Sequence, residues 1–292
     1  MSHPPSSPFP SRTDAAALPL RALARVLANE REGAGAGAAS HRLRVQWPGF
    51  AGFAPGQFAM VSPGAIGSAE RCDPLLPRPM AIYRAEPGAG GGEVEILYKV
   101  HGRGTALLAD ARPGERVRVV GPLGRPFPLP EAGQAALLVG GGTGIASLYE
   151  LASRARAASG ARVAVLLGAR SAGDLMAVAD FEALGVDVRI ATEDGSAGAR
   201  GLVTALLDAA LAEDTARGAL VYACGPTPMM RAAADVAAAH GCGCIVSLEN
   251  RMACGVGVCL GCAAPVRAGG YALVCRRGPV FDADDVAWDG LP

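Results

Sequence analysis

Through residues 21–130, apolar positions come in short runs broken by glycine and proline. Residues 21–30, 42–47, 58–62, 80–84, 93–100 and 116–120 read as the strands of a small antiparallel barrel. One helix interrupts them. Gly102-Arg103-Gly104-Thr105 leads into the helical run 106–110, with Thr105 as its expected N-cap. From 131 to 247 the pattern changes to strand–helix alternation. Strands are expected at 135–139, 162–167, 186–192, 219–223 and 244–247, with helices at 145–158, 177–184 and from Leu202 and Met229. Such alternation predicts a doubly wound parallel sheet with helices on both faces. The expected fold class is therefore multidomain, α/β plus β: an antiparallel barrel at 21–130, a parallel-sheet domain at 131–247 and a small C-terminal module at 248–292. Residues 1–20, with Pro4, Pro5, Pro8 and Pro10, read as a disordered tail.

Composition narrows the classes. The chain has 292 residues, a formal net charge of zero and few aromatics. Neither nucleic acid nor an anionic surface is an expected partner. No apolar run is long enough to span a membrane, and residues 1–13 lack the apolar core of a signal peptide. A reducing, cytoplasmic setting is expected for the eight cysteines.

Four of those cysteines carry the sharpest signal. Cys254, Cys259 and Cys262, with Cys275 following, form a C-x4-C-x2-C…C pattern, the plant-type spacing of a [2Fe-2S] cluster. Gly255, Gly257 and Gly261 suit a loop that must wrap sulfur atoms. A structural zinc site is the rival, but it usually shows two C-x2-C pairs and only Cys259 and Cys262 form one. Such a module is too short for a conventional hydrophobic core, so ligation would contribute to its folding. Cys72, Cys242 and Cys244 read as small apolar residues.

Three further stretches suit nucleotide chemistry. Gly140-Gly141-Gly142-Thr143-Gly144 follows the first strand of the parallel sheet, where a pyrophosphate would sit; Ile145 stands where the dinucleotide fingerprint ends in glycine. Close strand–helix packing is the plain alternative. Cys224-Gly225-Pro226 ends a later strand at the same carboxyl edge, either as an inert buried thiol or as a group against a reacting ring. Arg78 at a strand start is either a diphosphate partner or a surface arginine. Lys99, the one lysine, stands in an apolar strand beside Tyr98. Arg170-Ser171 could hold a 2′-phosphate, leaving NAD and NADP undecided.

Arg78-Pro79-Met80-Ala81-Ile82, the glycine loop through Ile145, Cys224-Gly225-Pro226, the run Ser247 to Cys254 and Gly278-Pro279-Val280-Phe281 together resemble the ferredoxin-reductase superfamily. Within it they resemble the electron-transfer subunits of dihydroorotate dehydrogenase B, over residues 20–292. The resemblance implies FAD on the barrel, touching Arg78, Pro79, Met80, Ala81, Leu97, Tyr98, Lys99, Gly104 and Thr105. It also implies NAD at the glycine loop and at Cys224–Pro226, a [2Fe-2S] cluster on Cys254, Cys259, Cys262 and Cys275, and an FMN-containing catalytic subunit, two copies of each chain. The family usually has Ser or Thr where this chain has Ala81. No catalytic acid or base for dihydroorotate is recognisable here. Two alternatives remain: a diaphorase subunit of a hydrogenase, sulfite reductase or ferredoxin:NAD(P) oxidoreductase, and a zinc-stabilised nucleotide-binding scaffold.

Overall fold

The computed structural model describes residues 19–32, 40–64, 73–158, 160 and 162–291. Nearly all of the expected tail, and Cys72, lie outside them. The N-terminal half contains β1 (Leu20–Glu32), β2 (Ser40–Pro48), β3 (Phe58–Ser62), β4 (Arg78–Ala81), β5 (Arg84–Gly88), β6 (Gly91–Lys99), α1 (Arg103–Ala109) and β7 (Arg116–Leu123). The strands form one antiparallel half-barrel sheet in the order β4-β3-β7-β1-β2-β6-β5. Two-residue alternation sets its inner face: Leu43, Val45 and Trp47 are buried while Arg44 between them is exposed.

The strand expected at 80–84 is instead two. Ile82 N donates to Gln57 O at 3.1 Å beside β3, and Tyr83 N donates to Glu95 O at 2.9 Å in β6. Those two residues carry the chain from one edge of the sheet to the other, so neither can continue a single ladder. Thr105 is not the N-cap of α1, which is Gly102. Its hydroxyl sits inside the first turn, donating to Gly102 O at 3.1 Å and accepting from His101 N at 2.6 Å.

The second half contains β8 (Ala136–Gly141), α2 (Tyr149–Ala158), β9 (Val163–Ala169), α3 (Val178–Ala183), β10 (Asp187–Thr192), β11 (Ala199–Arg200), α4 (Val203–Leu211), β12 (Leu220–Cys224), α5 (Thr227–Ala239) and β13 (Gly243–Ser247). After them come β14 (Ala263–Pro265), β15 (Tyr271–Leu273), α6 (Val274–Arg277) and β16 (Val280–Asp282). The large sheet runs β11-β10-β9-β8-β12-β13-β16, parallel except for β16. The glycine turn begins two residues later than expected, because Gly140 and Gly141 still belong to β8. Gly142–Leu148 is a 3-10 helix, and α-helix begins only at Tyr149. The tight turn keeps the loop on the end of β12: a Cβ at Gly144 would lie 2.3 Å from Cys224 O.

The C-terminal residues have more core than their length suggests, because they use that of their neighbours. β16 pairs antiparallel with β13. Cys262, Ala264, Val274, Cys275 and Phe281 pack with Leu207, Met230 and Ala233 of the nucleotide sheet and with Met60 and Leu123 of the half-barrel. No helix among the described residues is long and apolar enough to cross a membrane.

Polar contacts tie the half-barrel to α3 of the nucleotide-sheet half. Asp180 Oδ2 accepts from Arg42 at 2.6 Å and from the Tyr83 hydroxyl at 2.7 Å, and Glu32 Oε1 accepts from Ala177 N at 3.1 Å. Burial pushes the Asp180 carboxyl upward, but the Tyr83 and Arg42 donors outweigh it and hold the group below its usual range. A carboxyl depressed on folding adds stability above its unfolded value, near ~4, and loses it as pH falls through the folded value. Asp180→Asn is therefore expected to cost about 1–3 kcal/mol at neutral pH and to flatten the acid limb of a Tm-against-pH curve. An acid limb identical to that of the parent chain would show that the latch adds nothing.

Candidate functional site

A cavity of about 620 Å³ lies between the half-barrel and the nucleotide sheet. From the barrel side Arg78, Pro79, Met80 and Ala81 on β4, Leu97, Tyr98 and Lys99 on β6 and Thr105 on α1 line it. Gly104 does not reach the wall. It lies behind Arg78, where a Cβ would fall 2.1 Å from Arg78 Cζ, so the missing side chain is what lets the guanidinium rest there. Arg78 also donates to Leu76 O. The Tyr98 hydroxyl donates to Asn29 Oδ1 at 3.2 Å, which fixes the ring at the wall.

From the opposite side Gly141, Gly142, Thr143, Cys224 and Pro226 line the same cavity. Gly140, Gly144 and Gly225 do not; they are packing positions. Gly225 has φ 151, and a Cβ on it would meet Gly141 O at 2.7 Å. These glycines bring the loop and the end of β12 together. The Cys224 thiol is buried, donates to Ser247 O at 3.6 Å and is pushed up to about 12, chiefly by burial and further by the Glu249 charge. It stands in the cavity wall as a buried thiol whose ionisation burial disfavours.

Glu249, Asn250, Arg251 and Met252 also line this cavity, as do His101 and Pro279. The sequence puts Glu249–Met252 in the C-terminal module and gives no sign that they line a cavity, beyond their position just after β13 at the sheet's carboxyl edge. Glu249 Oε1 accepts from the Thr143 hydroxyl at 3.4 Å. Its surface opens into the cavity, yet protein crowds it closely enough that burial raises its carboxyl above the usual range.

A second cavity, of about 410 Å³, follows the carboxyl ends of β8, β9 and β10. Gly168, Ala169, Arg170 and Glu193 line it on the sheet side, with Leu202 at the start of α4 and Pro228, Met229 and Ala232 on α5. It shares Lys99, Gly141, Gly142 and Pro226 with the first cavity. Sequence reasoning reached its glycine loop but not Glu193 or the α5 wall.

The four expected ligand cysteines stand as two pairs. Cys262 and Cys275 are buried with their sulfurs 3.3 Å apart. Cys254 accepts from Val256 N at 3.4 Å and from Cys259 N at 3.5 Å, while Cys259 itself is exposed. Burial opposes ionisation of Cys254, but backbone N–H groups of Cys259, Val256 and Val258 outweigh it and bring the thiol down to about 6. Gly255 and Gly257 take φ 72 and 82, as a loop turned around sulfur requires; Leu260, φ 61, does so without being glycine. Among the described residues no three thiol, imidazole or carboxyl groups converge on one point that would hold a single ion.

Comparison with known proteins agrees with this layout. Residues 249–287 match the iron-sulfur cluster binding domain of dihydroorotate dehydrogenase B, and residues 138–235 match the oxidoreductase NAD-binding domain. The chain is 41% identical over 236 residues to the dihydroorotate dehydrogenase B (NAD(+)) electron transfer subunit of Bacillus caldolyticus, covering 80% of this chain and 86% of that one. With the same subunit of Caldanaerobacter subterraneus subsp. tengcongensis the identity is 36% over 266 residues, 90% of this chain and 97% of that one. Among solved structures, NADH-dependent reduced ferredoxin-NADP oxidoreductase superposes with a TM-score of 0.78 at 28% identity, over 92% of this chain and 91% of that one. The ferredoxin reductase of carbazole 1,9a-dioxygenase, at 22% identity and TM-score 0.63 over 77% of this chain and 67% of that one, shares the fold. Two joined cavities beside four paired cysteines, on a chain this similar to those relatives over most of its length, place it in the family of dihydroorotate dehydrogenase B (NAD(+)) electron transfer subunits.

Proposed function

We propose that this chain carries electrons between a dihydroorotate-oxidising catalytic subunit and NAD+, through a flavin and an iron–sulfur cluster. One observation supports this most: the two cavities share Lys99, Gly141, Gly142 and Pro226, and the first is lined by Met252, two residues before Cys254. Three binding places thus lie in a row. The units expected at 21–130, 131–247 and 248–292 all contribute to the wall of the first cavity, and β16 pairs the last with the second.

The residues present fit the implied groups. In the first cavity FAD would be held by Arg78, its guanidinium free to lie over Gly104 and meet a diphosphate by charge-assisted hydrogen bonds. Pro79, Met80, Ala81, Leu97 and Tyr98 would form the apolar wall for its ring, and Ala81 offers no hydroxyl to it. Two thiol pairs suit a [2Fe-2S] cluster, in which each iron takes two thiolates, with Cys254 and Cys259 serving one and Cys262 and Cys275 the other; zinc would draw all four onto one ion. Bound there, the flavin supplies exchange between a two-electron hydride and single electrons, which a nicotinamide and a [2Fe-2S] cluster cannot exchange directly.

The chain's own residues orient and shield. Gly141, Gly142 and Thr143 present the loop to the dinucleotide, and Cys224 fills the wall with a thiol kept neutral by burial. Glu249 stands at the cavity wall with its carboxyl raised above the usual range by burial and accepting from the Thr143 hydroxyl. The partner would be an FMN-containing subunit, two copies of each chain, in the cytoplasm, where free thiols stay reduced.

The test is reconstitution. Loaded with FAD, iron and sulfide, the isolated chain is expected to oxidise NADH with ferricyanide and to show no dihydroorotate activity. Adding the FMN-containing subunit should then give dihydroorotate-dependent NAD+ reduction. Dihydroorotate oxidation by this chain alone would overturn the reading.

A further inference from the structure

Two neighbours on α6 face different ways. Cys275 is buried, with its sulfur 3.3 Å from that of Cys262. Arg276, the next residue, is exposed and lays its stem over the loop that carries the other two cysteines. A Cβ at Gly257 would fall 2.5 Å from Arg276 Cγ and 3.1 Å from its Cδ, so the stem occupies space that any side chain at 257 would claim. The same Gly257 donates its N–H to the Cys275 thiol, while Val256 and Cys259 donate theirs to Cys254. Arg276 therefore leaves the chain beside one cysteine pair and rests on the residue that ties the loop of the other pair to it. Its charge is uncommitted. Asp289 is taken by Arg231 and Asp282 by the N–H of Asp284, and among the described residues no carboxylate pairs with Arg276.

A fixed charge has leverage at this place. In a [2Fe-2S] cluster two ferric ions, two sulfides and four thiolates sum to two negative charges, and uptake of one electron, with no proton, makes three. A cation held nearby favours the more negative state. Local charge, hydrogen bonds to sulfur and exposure are the means by which a protein sets such potentials. We propose that Arg276 raises the reduction potential of the cluster by resting its charged side chain on the Gly257 turn. The inference rests on the four-cysteine cluster reading. Its consequence is directional: one electron enters from the catalytic subunit more readily and leaves for the flavin less readily than it would without the guanidinium.

The experiment is a redox titration of the full chain loaded with FAD, iron and sulfide, in which the reduced cluster is followed by its EPR signal. Arg276→Gln keeps much of the stem and removes the charge. It is expected to lower the reduction constant about 3–10-fold, the size for an exposed unit charge several ångströms from the sulfurs. At about 59 mV per tenfold for one electron, the midpoint falls by roughly 30–60 mV. The shift should shrink at about 1 M salt, where exposed charges are screened. Arg276→Lys should stay within about twofold of the parent, and so should Arg277→Gln, which removes the same charge one residue further on. Iron content should be parental throughout, because Arg276 supplies no ligand. A parental midpoint in Arg276→Gln would overturn the inference and leave the cluster in place. So would an equal shift in Arg277→Gln, or loss of iron in Arg276→Gln, which would make the residue structural. A parent chain that binds iron but gives no one-electron signal on reduction would remove the cluster reading itself, and the inference with it.

Discussion

Replacing Cys275 with alanine is expected to strip most of the iron from the purified chain and to stop transfer to the catalytic subunit, while NADH oxidation by ferricyanide survives. Cys275 is 2% exposed and its sulfur lies 3.3 Å from that of Cys262, so its loss leaves one thiol where an iron needs two. Affinity should fall by more than ~100-fold, since even partners outside the ligand shell cost 10–100-fold. The damage should also be local. β16 is tied to β13 and Phe281 packs in the nucleotide-sheet core, so hydrogen exchange should rise across 249–277 and stay slow at 280–282. Cys242→Ala is the control: its sulfur lies beside His240 O at the end of α5, and iron content should not change. Iron retained at parental level in Cys275→Ala, or lost in Cys242→Ala, would refute the ligand assignment.

The second large effect concerns Arg78 and the glycine behind it. Arg78→Ala is expected to weaken FAD binding about 10–150-fold, the equivalent of a charge-assisted contact worth roughly 1.5–3 kcal/mol. Gly104→Ala should do much the same by a different route. Its new Cβ would fall 2.1 Å from Arg78 Cζ, so the guanidinium has to swing out of the cavity. Gly104 lies within α1, where alanine is favoured over glycine by about 1 kcal/mol, so the FAD-free protein should be as stable or more so. Weaker flavin binding with undiminished apo stability separates a displaced ligand contact from a damaged fold. Parental FAD affinity in Gly104→Ala would place the diphosphate elsewhere.

How much of this was legible beforehand depended on whether a signal was local. The two-residue alternation of β2 and the strand–helix alternation after residue 135 are local, and both sheets follow them. Helix starts were less legible. Thr105 looks like a cap by residue type, but the chain bends at Gly102, where φ is 77, and leaves the threonine inside the turn. Likewise 145–148 opens the helical run expected at 145–158, yet contact with the end of β12 leaves 142–148 as a 3-10 helix. Residues 80–84 read as one strand because nothing nearby in sequence reveals that Gln57 and Glu95 bond to consecutive residues from opposite edges.

By itself the sequence determined the order of the units, the plant-type spacing of the cysteines and the presence of a glycine loop after a strand. Those features are fixed by neighbours along the chain. Only the tertiary structure decided that the cysteines stand as two pairs, that Gly104 serves Arg78, and that β16 anchors the C-terminal residues to the nucleotide sheet. It alone brought Asp174 between Lys99 and Arg170. The physical reason is that charge pairing and close approach depend on distance in space, and Lys99 and Asp174 become neighbours only when the half-barrel packs against the nucleotide sheet.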